Sequence, residues 1–104
     1  MGFNMQKLMK QAQKMQQDMA RVQEELRNTE VEGAAGGGAV RVIANGANEV
    51  LSVRISPEVV DADDVEMLED LVLATVKEAL GAAQALSAER MAQVTGGMNM
   101  PGMF

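Results

Sequence analysis

The sequence predicts an α+β domain in the order α-β-β-β-α: a small three-stranded antiparallel sheet between a long N-terminal and a long C-terminal helix. Three observations predict it. Apolar residues in the first 27 positions recur at helical spacing, an Asn-Gly pair at 45–46 stands between two Val- and Ile-rich segments, and an acidic run at 58–70 leads into a second helical stripe. Two helices that each bury one stripe, beside strands joined by short turns, pack most simply on one face of the sheet.

Met5, Leu8, Ala12, Met15, Met19, Val22 and Leu26 follow one another at spacings of 3, 4, 3, 4, 3 and 4. That is the heptad seam of a helix burying one narrow face against a partner. Asn4 stands where an N-cap belongs, and the β-branched and glycine residues after Asn28 end the helix. Such a helix is roughly 35 Å long, too long for a small core to cover, so part of it is expected to project or to pair with another copy. Residues 30–35 read as a first strand, with Gly33, Gly36, Gly37 and Gly38 as a flexible link. Residues 39–44 and 48–56 are strands around Asn45-Gly46, the favoured pair for a two-residue type I′ hairpin, which needs a positive φ at Gly46. That turn puts Val40, Val42, Leu51, Val53 and Ile55 on one face and Arg41, Ile43, Val50, Ser52 and Arg54 on the other. Pro57 stops the last strand. Asp61, Asp63 and Asp64 offer N-caps, and Asp63 with Glu66 has capping-box spacing. Val65, Leu68, Leu71, Val72, Val76, Ala79, Leu80, Ala83 and Leu86 form the second stripe. Gly81 weakens it by about 1 kcal/mol relative to Ala, leaving a break before Ser87 open. Residues 1–95 read as a single domain, and 96–104, a Gly- and Met-rich stretch without periodicity, as a flexible tail.

Composition narrows the function. A chain of 104 residues is one small domain, and part of its apolar surface is expected to be buried by oligomerisation. A homodimer is expected, with Met15, Met19, Val22, Leu26, Ile43 and Val50 at its interface. The chain has no cysteine and no histidine. Disulfides, thiolate zinc sites and thiol catalysis are thereby excluded, the usual general bases and nucleophile activators are missing while carboxylates remain, and a reducing compartment is the simplest setting. No enzyme activity, cofactor or small-molecule substrate is expected. The N-terminal residues hold no signal-peptide core, and no stretch is expected to approach the ~20 apolar residues of a membrane span; a cytoplasmic protein without a membrane partner is expected. Seven acids lie between Glu58 and Asp70 without one base, but counted from Asp61 the glycine and glutamate that an EF-hand loop requires are Glu66 and Val72. A solvated helix start explains the run better than a metal. The glycine run leads into a strand, not the helix that a P-loop requires.

Charge is segregated. The net charge is −6, yet no acid appears before Asp18, and beyond residue 27 there are four basic and twelve acidic side chains. With Met5 at heptad position a, Lys7, Lys14 and Arg21 fall at c and Lys10 at f, while Gln6, Gln13 and Gln17 fill b and f beside them. A basic, amide-rich stripe on an acidic protein points to a polyanion. Lys and Gln are also ordinary fillers of the solvated face of a coiled coil, so spacing alone leaves both readings open.

Leu-Met-Lys-Gln-Ala-Gln-Lys-Met-Gln at 8–16 and Val-Glu-Gly-Ala-Ala-Gly-Gly-Gly at 31–38 resemble the YbaB/EbfC family of bacterial nucleoid-associated proteins. The resemblance continues through Asn45-Gly46 to Ile55-Ser56-Pro57-Glu58, Met67-Leu68-Glu69-Asp70-Leu71 and the Met- and Pro-containing end, and so covers nearly the whole chain. It implies a homodimer with projecting helical arms that binds double-stranded DNA with little or loose sequence specificity, organises the chromosome and modulates transcription. On that reading Lys7, Lys10, Lys14 and Arg21 meet phosphates, with Gln6, Gln13 and Gln17 beside them. The second helix offers only Lys77 and Arg90 as basic residues. The alternative is a dimeric coiled-coil scaffold or regulatory protein that binds another protein rather than DNA.

Overall fold

The computed structural model of the chain describes residues 4–96. Helix α1 (Met5–Arg27) leads into strands β1 (Glu30–Ala35), β2 (Val40–Asn45) and β3 (Val50–Ile55), a single 3₁₀ turn (Pro57–Val59) and helix α2 (Val65–Gly96). The strands form one antiparallel sheet in the order β1-β2-β3. The predicted α+β order is therefore the observed one. The tail expected over 96–104 lies, beyond Gly96, outside the described residues.

Each helix starts as the sequence pattern indicates. The Asn4 carboxamide oxygen accepts from the backbone N–H groups of Gln6 and Lys7 at 3.0 and 3.3 Å. For α2 the capping carboxylate is that of Asp64, one residue beyond the capping-box candidate Asp63, and it accepts from Met67 N–H at 3.2 Å. Asp61 instead closes the preceding turn, accepting from Asp63 N–H at 2.9 Å. Helix α2 runs unbroken through Gly81 and Ser87. By length and composition it would also pass for a membrane span, Val65–Val94 containing a window of mean hydropathy 1.2, contrary to the expectation that no stretch approaches one. Lys77 and Glu78 stand in the middle of that helix, where a bilayer would penalise them, and one of its faces is already used by the sheet.

That face holds the core. Val40, Val42, Ala44, Ala79 and Ala83 are fully buried, with Val31, Val76 and Leu80 packed around them. Thr75 is buried too, and its hydroxyl donates to Leu71 O at 2.6 Å, so that hydroxyl is not stranded. Small residues let helix and strand approach closely. A Cβ on Gly33 would stand 2.5 Å from Thr75 O and 2.6 Å from Ala79 N. Gly33 is therefore a packing site inside β1 rather than part of a flexible link. The link itself is an ordered turn: Gly36, Gly37 and Gly38 hold φ of 63°, 71° and 93°, and Gly38 and Ala39 N–H donate to Ala35 and Gly36 O.

The β2–β3 hairpin departs from the predicted two-residue turn. Asn45 pairs with Glu49, the chain turns through Gly46, Ala47 and Asn48, and Asn48 carries the positive φ of 64°. This is the three-residue form, closed by Asn48 N–H to Asn45 O at 3.0 Å, with Asn48 itself the left-handed residue that completes it. Gly46 does not adopt a positive φ; a glycine is needed there because a Cβ would meet Leu26 at 2.7–2.9 Å. The longer loop moves the register by four residues, so Arg41 faces Arg54 rather than Val50. An even shift preserves the predicted faces of β2 and most of β3. The exception is Val50, which an irregularity at Leu51 pairs with Ala44 on the core side.

Two glycine substitutions separate these roles. Gly33→Ala should destabilise the fold by about 2–3 kcal/mol, since backbone must move apart. Gly37→Ala, at a left-handed position with open space, should cost about 1 kcal/mol. Urea midpoints at an unchanged slope measure both, and equal costs would contradict the close β1–α2 contact. Asn45 is almost fully buried, donating to Arg27 O at 3.0 Å and the Glu49 carboxylate at 2.8 Å and accepting from Ala47 and Glu49 N–H. Asn45→Ala should therefore cost about 2–3 kcal/mol by the same measurement.

Candidate nucleic-acid interface

Helix α1 is covered only at its C-terminal end. Val22 and Leu26 are 5% and 3% exposed, whereas Met5, Leu8 and Met9 are 59%, 52% and 58% exposed. Met15 and Met19 lie between these extremes. The N-terminal half of the helix thus projects as an arm. The radius of gyration, 20.4 Å, far exceeds the ~13 Å of a compact domain of this size, and the longest dimension is 76 Å against a shortest of 17 Å.

On the side of the arm away from the seam lie Lys7, Lys10 and Lys14, all exposed and none in an ion pair among the described residues. At 3.6 residues per turn the three ammonium groups share about 60° of arc and span roughly 10 Å along the axis. Gln6, Gln13 and Gln17 are exposed beside them. Arg21 continues the stripe but in different company: it lies 3.6 Å from Asp18 and 3.8 Å from Glu25. Arg27 pairs with Glu24 at 3.2 Å and Arg90 with Glu25 at 3.6 Å. Cations near the root of the arm are matched by carboxylates, and those on the projecting half are not. The i+3 and i+4 spacing of Asp18, Arg21 and Glu25 already carries this information in the sequence.

The residues expected at a dimer interface are dispersed. Val22 and Leu26 are buried within their own protomer, Ile43 is half-buried on the outer face with Arg41 and Ser52, and Val50 has moved to the core side. Helix α2 covers β1 and β2 but not β3, so Val50, Leu51, Val53 and Ile55 remain 40–50% exposed. Val60, Val65 and Leu73 are exposed as well. The outer face of the sheet also holds a feature that the tight-turn register hides, the direct cross-strand pair Arg41 and Arg54.

With this geometry in place, relatives are informative. A model of the YbaB/EbfC DNA-binding family matches residues 1–98. The chain is 58% identical over 104 residues to a nucleoid-associated protein of Pelotomaculum thermopropionicum, covering 100% of this chain and 99% of that one. It is 58% identical over 103 residues to a nucleoid-associated protein of Clostridium novyi, covering 99% and 90% respectively. The crystal structure of an uncharacterized Helicobacter pylori protein is similar in fold, with a TM-score of 0.71 over 93% of this chain and 99% of that one at 19% identity.

Proposed function

Because the chain belongs to the YbaB/EbfC DNA-binding family, we propose that it is a nucleoid-associated protein of the cytoplasm that binds double-stranded DNA through the projecting half of α1, as a homodimer and with loose sequence preference. The observation that carries this reading is the trio Lys7, Lys10 and Lys14, exposed and without an ion pair among the described residues, on an arm that stands clear of an acidic body. Ammonium groups on a helix exterior meet phosphates, which position a protein without reading bases. Gln6, Gln13 and Gln17 add groove hydrogen bonds of low selectivity. Arg21, held by two carboxylates, contributes less than its place in the stripe indicates. Chromosome organisation follows from binding many unrelated sites, and effects on transcription follow where such sites overlap promoters.

The apolar side of β3 supports dimerisation. Leu51, Val53 and Ile55 belong to the core face, yet their own protomer leaves them uncovered, and a contiguous apolar patch of this kind marks an association surface. We place the self-contact there, together with Val50, in preference to Val22 and Leu26. The exposed distal seam residues Met5 and Leu8, with Met9 beside them, favour a second reading, a scaffold that docks another protein through α1.

Light scattering should give twice the 11.1 kDa chain mass at micromolar concentration, and Val53→Lys should shift the protein to monomer; a wild-type monomer would remove the dimer. Fluorescence anisotropy with duplexes of unrelated sequence tests the arm. Two arms carry six unpaired lysines and two weakly available arginines; with part of these engaged, log K against log salt should have a slope of roughly −3 to −6. Changing Lys7, Lys10 and Lys14 to Glu should abolish binding, changing them to Gln should weaken it less, and Arg21→Gln should have the smallest effect. Helix content and oligomeric state should stay unchanged, because these positions do not enter the seam. If the Glu variant binds with the wild-type salt slope, the arm is not the DNA surface and the scaffold reading moves ahead.

A further inference from the structure

Arg41 and Arg54 stand directly opposite each other on β2 and β3, and like charges so placed normally destabilise a sheet. Only one of them is neutralised. Arg41 donates to the Glu32 carboxylate at 2.8 Å, while Arg54 has no ion pair among the described residues. The Arg41 guanidinium also lies against Gly38, its Nη2 only 2.9 Å from where a Cβ would stand. Glu32 on one side and a side-chain-free residue on the other hold that guanidinium in place. Between the two arginines, Gly38, Ala39, Ile55 and Ser56 line a shallow open depression of about 350 Å³. Ser56 N–H donates to Ala39 O at 2.7 Å, which fixes the far wall.

We propose that this depression is an anion site, separate from the arm, that takes a phosphate of the nucleic-acid backbone between Arg41 and Arg54. Guanidinium groups match the geometry of phosphate oxygens and are less strongly hydrated than ammonium. Arg41 arrives pre-oriented by Glu32, and Arg54 supplies the charge that no carboxylate cancels. A bound phosphate relieves the repulsion between them, a physical reason for the pair to coexist. The site rests on the DNA-binding reading and gives each protomer two separate contacts, one on the arm and one on the body, so that a duplex is held at two points.

The test uses isotope-labelled full-length protein and follows the backbone amides of Gly38, Ala39, Arg54 and Ser56 against those of Lys7, Lys10 and Lys14. Inorganic phosphate and a short mixed-sequence duplex are titrated separately. Both should shift the sheet amides, and the duplex should also shift the arm amides. Arg54→Gln should erase the sheet response to either ligand, leave the arm response intact and reduce the steepness of the salt dependence by about 1 per protomer; Arg54→Lys should restore part of both. Glu32→Gln keeps a side-chain oxygen that can accept from Arg41 while removing the carboxylate charge that competes with phosphate, and should strengthen the phosphate response. If the duplex shifts the arm amides alone, the DNA reading stands and this site falls. If inorganic phosphate shifts the sheet amides and the duplex does not, the site is a small-anion site and the nucleic-acid assignment is overturned. If the duplex shifts neither set, both readings fall together.

Discussion

The arm depends on how its C-terminal end is held. A helix leaves its last four carbonyls without intrahelical partners, and in α1 all four are taken. Glu24 O accepts from the Asn28 carboxamide at 3.0 Å and Glu25 O from the Thr29 hydroxyl at 2.7 Å. Leu26 O accepts from Gly46 N–H at 2.8 Å and Arg27 O from the Asn45 carboxamide at 3.0 Å. The last two donors come from the β2–β3 hairpin, so the sheet itself caps the helix. This matters because a helix segment as short as the projecting half is marginal in water on its own. Here it extends a turn whose nucleation cost is already met at the buried root, and the Asn4 cap adds about 1 kcal/mol at the other end.

A second close contact, between β1 and α2, sets what the body can do. Gly33 brings α2 down onto β1 through Thr75 and Ala79, and a helix that close to one edge of a three-stranded sheet cannot also cover the opposite edge. The uncovered side of β3 is therefore a consequence of the β1–α2 contact rather than an independent feature. Val40 and Val42 are fully buried, while their cross-strand partners Ile55 and Val53 are half open. One edge is closed by the protomer, and the other supports the proposal of self-association.

How much of this was legible in the sequence depended on the range of the interaction that decides each feature. Seam, caps and strand segments follow from neighbours a few residues apart, and the bounds of α1 and β1 agree with that reading. The hairpin did not, because Asn45 is fastened to Arg27 O across 18 positions. That bond and the Gly46 contact with Leu26 favour a loop docked on the helix end over the tight turn that Asn-Gly adopts when only local energetics act. Faces survived because the register moved by an even number of residues; Val50 did not, because the irregularity at Leu51 adds an odd step. The basic stripe was visible in full, while its division into unpaired lysines and a matched Arg21 required attention to acids three and four residues away. The Arg41–Arg54 pair was out of reach, since it exists only in the docked register.

Segregated charge accounts for how an acidic chain engages a polyanion. At the arm's rise of 1.5 Å per residue, Lys7 stands roughly 30 Å from the end of α1, and the Debye length at physiological salt is about 8 Å. Acids gathered around that end are therefore largely screened at the position of Lys7. Near the root the separation vanishes, and there Arg21, Arg27 and Arg90 each sit within 4 Å of a carboxylate. Projection is thus the electrostatic requirement, and the capped root of α1 is what satisfies it.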